Sequence, residues 1–270
     1  MRGSNQVRSI LGSPAWNKYV VPACTIGALL VVWEIVCRVG KVPIWLLPPP
    51  SAIAASAWSH RHYLPRHILA TGYEVAGGFF LALVVGVFLA VCIVYSAFVR
   101  RVAYPVLLVF QSVPKVAMAP LLLLYLGYGP QTNVTVAAIV AFFPIVINTT
   151  TGLESVEEDL LQLTRSFDPN ALRVFWKVRL PWALPYLFSA MKVAVSLAVI
   201  GAVVGEFVGA DRGLGYVILT ASSNMDTSLV FAAMALLALM GIGAFYAVWF
   251  VEVVICPWYQ PSRQEQAQGA

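Results

Sequence analysis

Charge is scarce in this sequence. Asp, Glu, Lys and Arg make up 11% of its 270 residues, where soluble domains carry about 25%. With 60% hydrophobic residues, a soluble fold would have to hide more apolar surface than so short a chain can enclose. A bilayer removes that difficulty, because the outward face can then be apolar. Cysteine is also scarce. The four are Cys24, Cys37, Cys92 and Cys256, and no two form a C-x-x-C. They read as small buried hydrophobes rather than metal ligands or a redox pair. The three histidines, His60, His62 and His67, have no carboxylate or Cys beside them, so no metal site is expected. No nucleophile elbow, H-E-x-x-H or Ser-His-Asp constellation appears, which argues against an enzyme. No Lys/Arg-rich face with interleaved aromatics appears either, which argues against a nucleic-acid partner.

What is present is a set of long apolar runs. A spanning helix needs about 20 mainly apolar residues. Six runs qualify, near residues 19–39, 72–99, 102–128, 134–153, 186–208 and 229–255. They are apolar nearly all round, as lipid-embedded helices are. Open sheet edges cannot sit in hydrocarbon, and the short alternating segments of a barrel are missing. The expectation is an all-α membrane protein of about six transmembrane helices over residues 19–255. Short polar tails, 1–18 and 256–270, flank it. The first run is long enough to span and no small-residue cleavage site follows it, so it reads as a retained helix.

The net charge of +5 gives the orientation. With the N-terminus inside, eleven basic residues, among them Arg100, Arg101, Arg173, Lys177 and Arg179, fall on the inner side. Five fall outside: Arg38, Lys41, Arg61, Arg66 and Arg212. The positive-inside rule then places both termini in the cytoplasm. Pro48-Pro49-Pro50 stiffens the first outer loop. The stretch Ser51–His67 reads as an interfacial helix with Ser51 as its N-cap.

The longest charged stretch, 154–185, lies between the fourth and fifth runs on the cytoplasmic side. Glu157, Glu158 and Asp159 open a helix where its dipole favours negative charge. Leu160, Leu161, Thr164 and Phe167 can share one face. Asp168 before Pro169 is a helix-start signal. A second amphipathic helix follows, with Leu172, Phe175 and Trp176 apolar and Arg173, Lys177 and Arg179 basic. Pro181 and Pro185 end it before the fifth span. Two short helices with apolar side chains outside the bilayer mark a docking surface or a pair packed on the membrane or on its own bundle. The residues alone leave both readings open.

This loop resembles the E-A-A loop of the inner-membrane permeases of binding-protein-dependent ATP-binding-cassette importers. The frame falls on Gln162-Leu163-Thr164, then Asp168, then Val178-Arg179-Leu180-Pro181. The V-x-L-P end and the spacing match. The E-A-A and the family glycine do not, Asp168 standing for the latter, which is compatible with a turn and can cap the next helix. The resemblance covers roughly residues 46–254. It includes Pro48-Pro-Pro-Ser51, Ser112-Val-Pro-Lys-Val-Ala-Met-Ala-Pro-Leu121, Phe142-Phe-Pro-Ile-Val-Ile-Asn148, Gly201-Ala-Val-Val-Gly-Glu-Phe207 and Gly213-Leu-Gly-Tyr216. The five patches together resemble the subfamily serving nitrate, sulfonate, taurine, bicarbonate and thiamine-precursor-like solutes. Membership implies a subunit that pairs with a second permease copy, favouring a homodimer. It implies two cytoplasmic ATPase subunits that hold the ATP and Mg, and an external solute-binding protein. It also implies a bacterial inner-membrane location and a coupling helix near Leu160–Phe175. The chain carries no G-x-x-x-x-G-K-[ST] loop of its own.

An ionisable residue at membrane depth costs at least ~2.5–3.5 kcal/mol and is a functional candidate by default. Lys115, between Pro114 and Pro120 in the third run, reads either as lining the pathway for an anionic or polar solute or as a structural pairing, with Glu206 or a carbonyl. Glu206 reads as part of an outer gate or as a salt bridge, the second preferred. Glu34 and Glu74 read as helix-end groups. Gly201, Gly205 and Gly209 recur every fourth residue, the pattern for close helix contact within or between subunits. A self-sufficient secondary carrier or channel is the alternative of another class. The absence of a clear inverted repeat and the few intramembrane acids weigh against it. A structural protein would need neither Lys115 nor broken helices.

Overall fold

A computed structural model describes residues 20–167 and 170–258, without the side chains of Arg165 and Phe167. The N-terminal tail, Asp168, Pro169 and most of the C-terminal tail lie outside the described residues. Everything regular among the described residues is helical. The helices are α1 (Val21–Val39), α2 (Pro50–Ser59), α3 (Leu64–Tyr95), α4 (Ala97–Ser112), α5 (Ala119–Leu126), α6 (Pro130–Glu154), α7 (Glu158–Phe167), α8 (Ala171–Val174), α9 (Leu180–Gly209), α10 (Leu214–Ser223) and α11 (Thr227–Ile255). Five are long and apolar enough to cross a membrane, α8 and α9 counting as one, and α4 with α5 makes a sixth as a broken pair. The protein is thus an all-α membrane protein.

The third expected span is not one helix. α4 and the segment Lys115–Leu126 meet at 90°. Val113 before Pro114 is extended, at φ −74° and ψ 130°, as the proline ring demands of the residue before it. The chain then makes a 3-10 turn over Lys115–Met118. Pro120 causes no break, because it sits in the first turn of α5, where a missing N–H costs nothing.

Three other boundaries differ from expectation. The second span begins at Leu64 rather than near residue 72, so the expected interfacial helix is two pieces, α2 and the start of α3. Ser51 lies inside α2, whose N-cap is Pro49. Pro181 and Pro185 do not end a helix before the fifth span; they lie in the opening turns of α9. A wide π turn over Phe175–Arg179 precedes them, with the Leu180 N–H bonded to the Phe175 carbonyl.

The chain divides into two compact units, Met1–Leu64 with Ile218–Ala233, and Pro65–Val217 with Met234–Ala270. In the first, Glu34 of α1 accepts from the Ser51 N–H at 3.0 Å and from its hydroxyl at 2.7 Å. It also pairs with Arg38. Glu34 therefore caps α2 from a neighbouring helix. Thr227 donates to the Trp45 carbonyl at 2.7 Å, and the Trp33 and Phe231 rings lie 5.9 Å apart.

The second unit is built on α6 and α9. Their facing residues are small: Ala137, Ala141, Ala194, Ala198 and Ala202 are fully buried. Phe79, Ile145 and Phe188 fill the remaining space. In lipid no hydrophobic force drives helices together, so close backbone approach and dispersion must do it. A Cβ at Gly201 would stand 2.6 Å from the Ala137 Cα. One at Gly205 would meet Asn133, and one at Gly209 would meet Leu123 and Tyr128. The three glycines thus face α6, α5 and the turn between them in the same chain.

Candidate functional site

The loop between α6 and α9 is a folded unit. Glu158 and Asp159 occupy the first turn of α7, where the helix dipole stabilises them. The next helix, α8, is capped by Asn170, whose side chain accepts from the Leu172 N–H at 3.0 Å; the expected helix-start residue Asp168 lies outside the described residues. A small core of Val156, Leu161 and Val174, with Leu160 and Val178 against it, holds the two helices together. Thr164 spends its hydroxyl on the Leu160 carbonyl at 2.7 Å. Phe175 is half-buried, its ring edge-on to Tyr95 at 6.0 Å. Pro181 is half-buried at the start of α9.

The expected docking residues therefore divide. Leu161 is inside the loop's own core and Leu160 packs against it, while Phe175 turns to Tyr95. Leu172 remains outside, 66% exposed, together with Trp176 at 59%, read with it as apolar from the sequence, and Leu163 at 57%, which the face assignment left out. The sequence signal for Leu163 was its spacing: two residues from Leu161, it points about 200° round the helix from that inward side chain. Phe167's side chain and Asp168 are outside the described residues.

Lys115 sits at the 90° break, half-buried. Its Nζ lies 4.7 Å from the centre of the Phe143 ring, and no ion pair joins it to Glu206 among the described residues. A cation over a ring face gains about 0.5–2 kcal/mol, depending on desolvation. Pro114 and Pro120 on either side are exposed.

Glu206 forms no salt bridge among the described residues. It is 1% exposed, and its carboxylate accepts from the Thr71 hydroxyl at 2.5 Å and the Gly215 N–H at 2.5 Å. Thr71 in turn accepts from the Leu214 N–H at 2.8 Å, and His67 Nδ1 from the Gly213 N–H at 3.1 Å. The first N–H groups of α10, which have no partner within the helix, are thus satisfied by α3 and α9. Because Nδ1 accepts, the proton of a neutral His67 ring is on Nε2. The Arg66 Nε 3.1 Å away then faces a donor, so that approach is packing rather than a bond. Gly213 has φ +114°, and a Cβ there would run into the Glu206 carboxylate. Only glycine serves at this turn.

Beside Glu206 lies Glu74. It is well inside α3 rather than near a helix end, buried, and accepts from Asn133 Nδ2 of α6 at 2.8 Å. Next to this pair a cavity of about 1030 Å³ is lined by Arg66, Tyr73, Tyr128, Asp211 and Arg212, among others. Arg212 donates to Asp211 at 3.2 Å; that bond and its charge hold the Asp211 carboxyl below its usual range. At the other end of the unit Lys192 pairs with Glu252 at 2.8 Å and Arg100 with Glu154. No cluster of His, Cys, Asp and Glu fit for a metal ion occurs among the described residues.

A family profile described as the binding-protein-dependent transport system inner membrane component matches residues 82–254, more than half of the chain. A probable ABC transporter permease protein of Haemophilus influenzae is 34% identical over 84% of this chain and 93% of its own length. The riboflavin transport system permease protein of Chloroflexus aurantiacus is 35% identical over 95% and 96%. The formylaminopyrimidine transport permease protein of Halalkalibacterium halodurans is 35% identical over 85% and 92%. Among solved structures, an inward-facing MetNI methionine ABC transporter chain aligns with a TM-score of 0.57 at 21% identity, over 70% of this chain and 98% of that one. It supports the fold.

Proposed function

Because the chain belongs to the family of binding-protein-dependent transport system inner membrane components, a permease subunit of an ATP-binding-cassette importer and not itself an ATPase, we propose the following working arrangement. The 154–179 loop is the surface that receives the ATPase. The observation that carries this reading is the exposure of Leu163, Leu172 and Trp176 on a loop with its own small core. Apolar side chains outside the bilayer on a rigid support are what a partner groove needs.

Two copies of the chain form the pathway, with both termini cytoplasmic as the basic residues imply. Two ATPase subunits hold ATP and Mg, and an external binding protein delivers the solute. ATP binding closes the ATPases, α7 and α8 carry that motion into α9 through the π turn, and the pathway opens outward; hydrolysis resets it. The cargo is a small polar or anionic solute. Several relatives carry names of this kind, including taurine and nitrate permeases. Lys115 at the break of α4 and α5 faces the pathway and attracts it, since irregular backbone at membrane depth must line protein or water.

The test is ATP-dependent uptake by proteoliposomes containing this chain, the ATPase and the binding protein. Uptake that stops when ATP is withheld agrees with this reading. Uptake by the chain alone would make it a secondary carrier. Lys115→Met should lower uptake at least tenfold while ATP hydrolysis continues; unchanged uptake removes Lys115 from the pathway.

A further inference from the structure

We propose that the protein carries a binding site for the headgroup of an anionic phospholipid, formed by Lys177, Trp182, Tyr186 and Trp258. These residues line a cavity of about 820 Å³ with Pro181 and Pro185. Lys177 brings the charge. It is exposed and has no ion pair among the described residues. The neighbouring cations are engaged: Arg179 lies over the Tyr95 ring at 5.4 Å and Lys192 pairs with Glu252. No carboxylate lines the cavity among the described residues, so its field favours an anion.

The aromatic walls indicate which anion. Trp182 and Trp258 are exposed at 45% and 58%, and Tyr186 at 40%. They stand where two spans leave the apolar layer, at the opening of α9 and three residues after the end of α11. Trp and Tyr concentrate at the headgroup level because each ring has an apolar body and a polar tip. α11 is little covered within the chain, with only 17% of its most apolar stretch buried. Exposed Trp249, Phe250 and Val254 lead along it towards Trp258. Inorganic phosphate would meet Lys177 but leave the largely apolar walls wetted. A phospholipid places its phosphate at Lys177, its glycerol against the prolines and indoles, and its chains along α11.

The experiment is native mass spectrometry of the purified full chain in mixed micelles with equal phosphatidylglycerol and phosphatidylcholine. The chain should retain phosphatidylglycerol over phosphatidylcholine by about fivefold, the ratio that ~1 kcal/mol per basic residue near an anionic surface corresponds to. Lys177→Gln should bring the ratio close to one with an unchanged thermal midpoint, and Lys177→Arg should keep it. Equal retention by the unaltered chain overturns the site, as does an unchanged preference in Lys177→Gln. Loss of the bound lipid on adding the ATPase would also overturn it, assigning the cavity to the protein partner. The chain is tested alone, so failure here leaves the transport reading standing.

Discussion

The two ends of α9 are built on opposite plans. At its C-terminal end, polar groups are buried and matched. Glu206 accepts from Thr71 and Gly215, and His67 and Thr71 take the N–H groups of Gly213 and Leu214. At its N-terminal end, apolar groups are exposed and unmatched, with Leu163, Leu172 and Trp176 held out on a core of three buried residues. A buried hydrogen-bonded cluster fixes one geometry, because any departure leaves donors without acceptors. An exposed apolar face fixes nothing until a partner covers it. One end of the helix is held by buried, matched polar groups, and the other adjoins an uncovered apolar face.

Substitutions at the anchored end should cost the most stability. Glu206→Ala leaves the Thr71 hydroxyl and the Gly215 N–H without their acceptor and should destabilise by roughly 2–6 kcal/mol, at about 1–3 kcal/mol per buried group; the thermal midpoint in detergent reads it. Gly201→Val forces a side chain against the Ala137 backbone and should cost about 1–3 kcal/mol, with a lower yield of folded protein. Glu74→Gln is the sharper probe. It keeps an acceptor for Asn133 and supplies a donor beside Glu206, so its midpoint should stay within about 1 kcal/mol of the parent. A large loss there would mean that the Glu74 charge itself is required. The smallest effect on stability belongs to the other end: Leu163, Leu172 and Trp176 all changed to Asp should alter it by no more than about 0.5 kcal/mol.

The difference between the two ends also explains what could be read before any coordinates. Apolar runs announce spans through composition alone, and they did so for α1, α3, α6, α9 and α11. Pro114 announced a break, but its angle depends on the 3-10 turn and on what the two legs pack against. The role of Glu206 was hidden because its partners include the backbone N–H of Gly215, which leaves no side-chain signature. The one trace was a pair of glycines, Gly213 and Gly215, in a short connection after a buried acid. Glu74 was misplaced with the start of α3: the polar run before residue 72 concealed that the helix begins at Leu64. In the loop, the amphipathic pattern located α7, but which of its leucines faces inward follows from Val156 and Val174, which no local period reveals.

The most direct test sets both ends against each other in one preparation. The unaltered chain, Glu206→Ala and the Leu163, Leu172, Trp176 triple Asp variant are each co-expressed with the partner ATPase and purified in detergent. ATPase retention and thermal midpoint are then recorded. The account predicts that the triple variant keeps the parental midpoint and loses the ATPase, while Glu206→Ala, handled below its lowered midpoint, keeps the ATPase. A triple variant that still holds the ATPase, or that loses it only because it has unfolded, would contradict the claim that the loop is the docking surface.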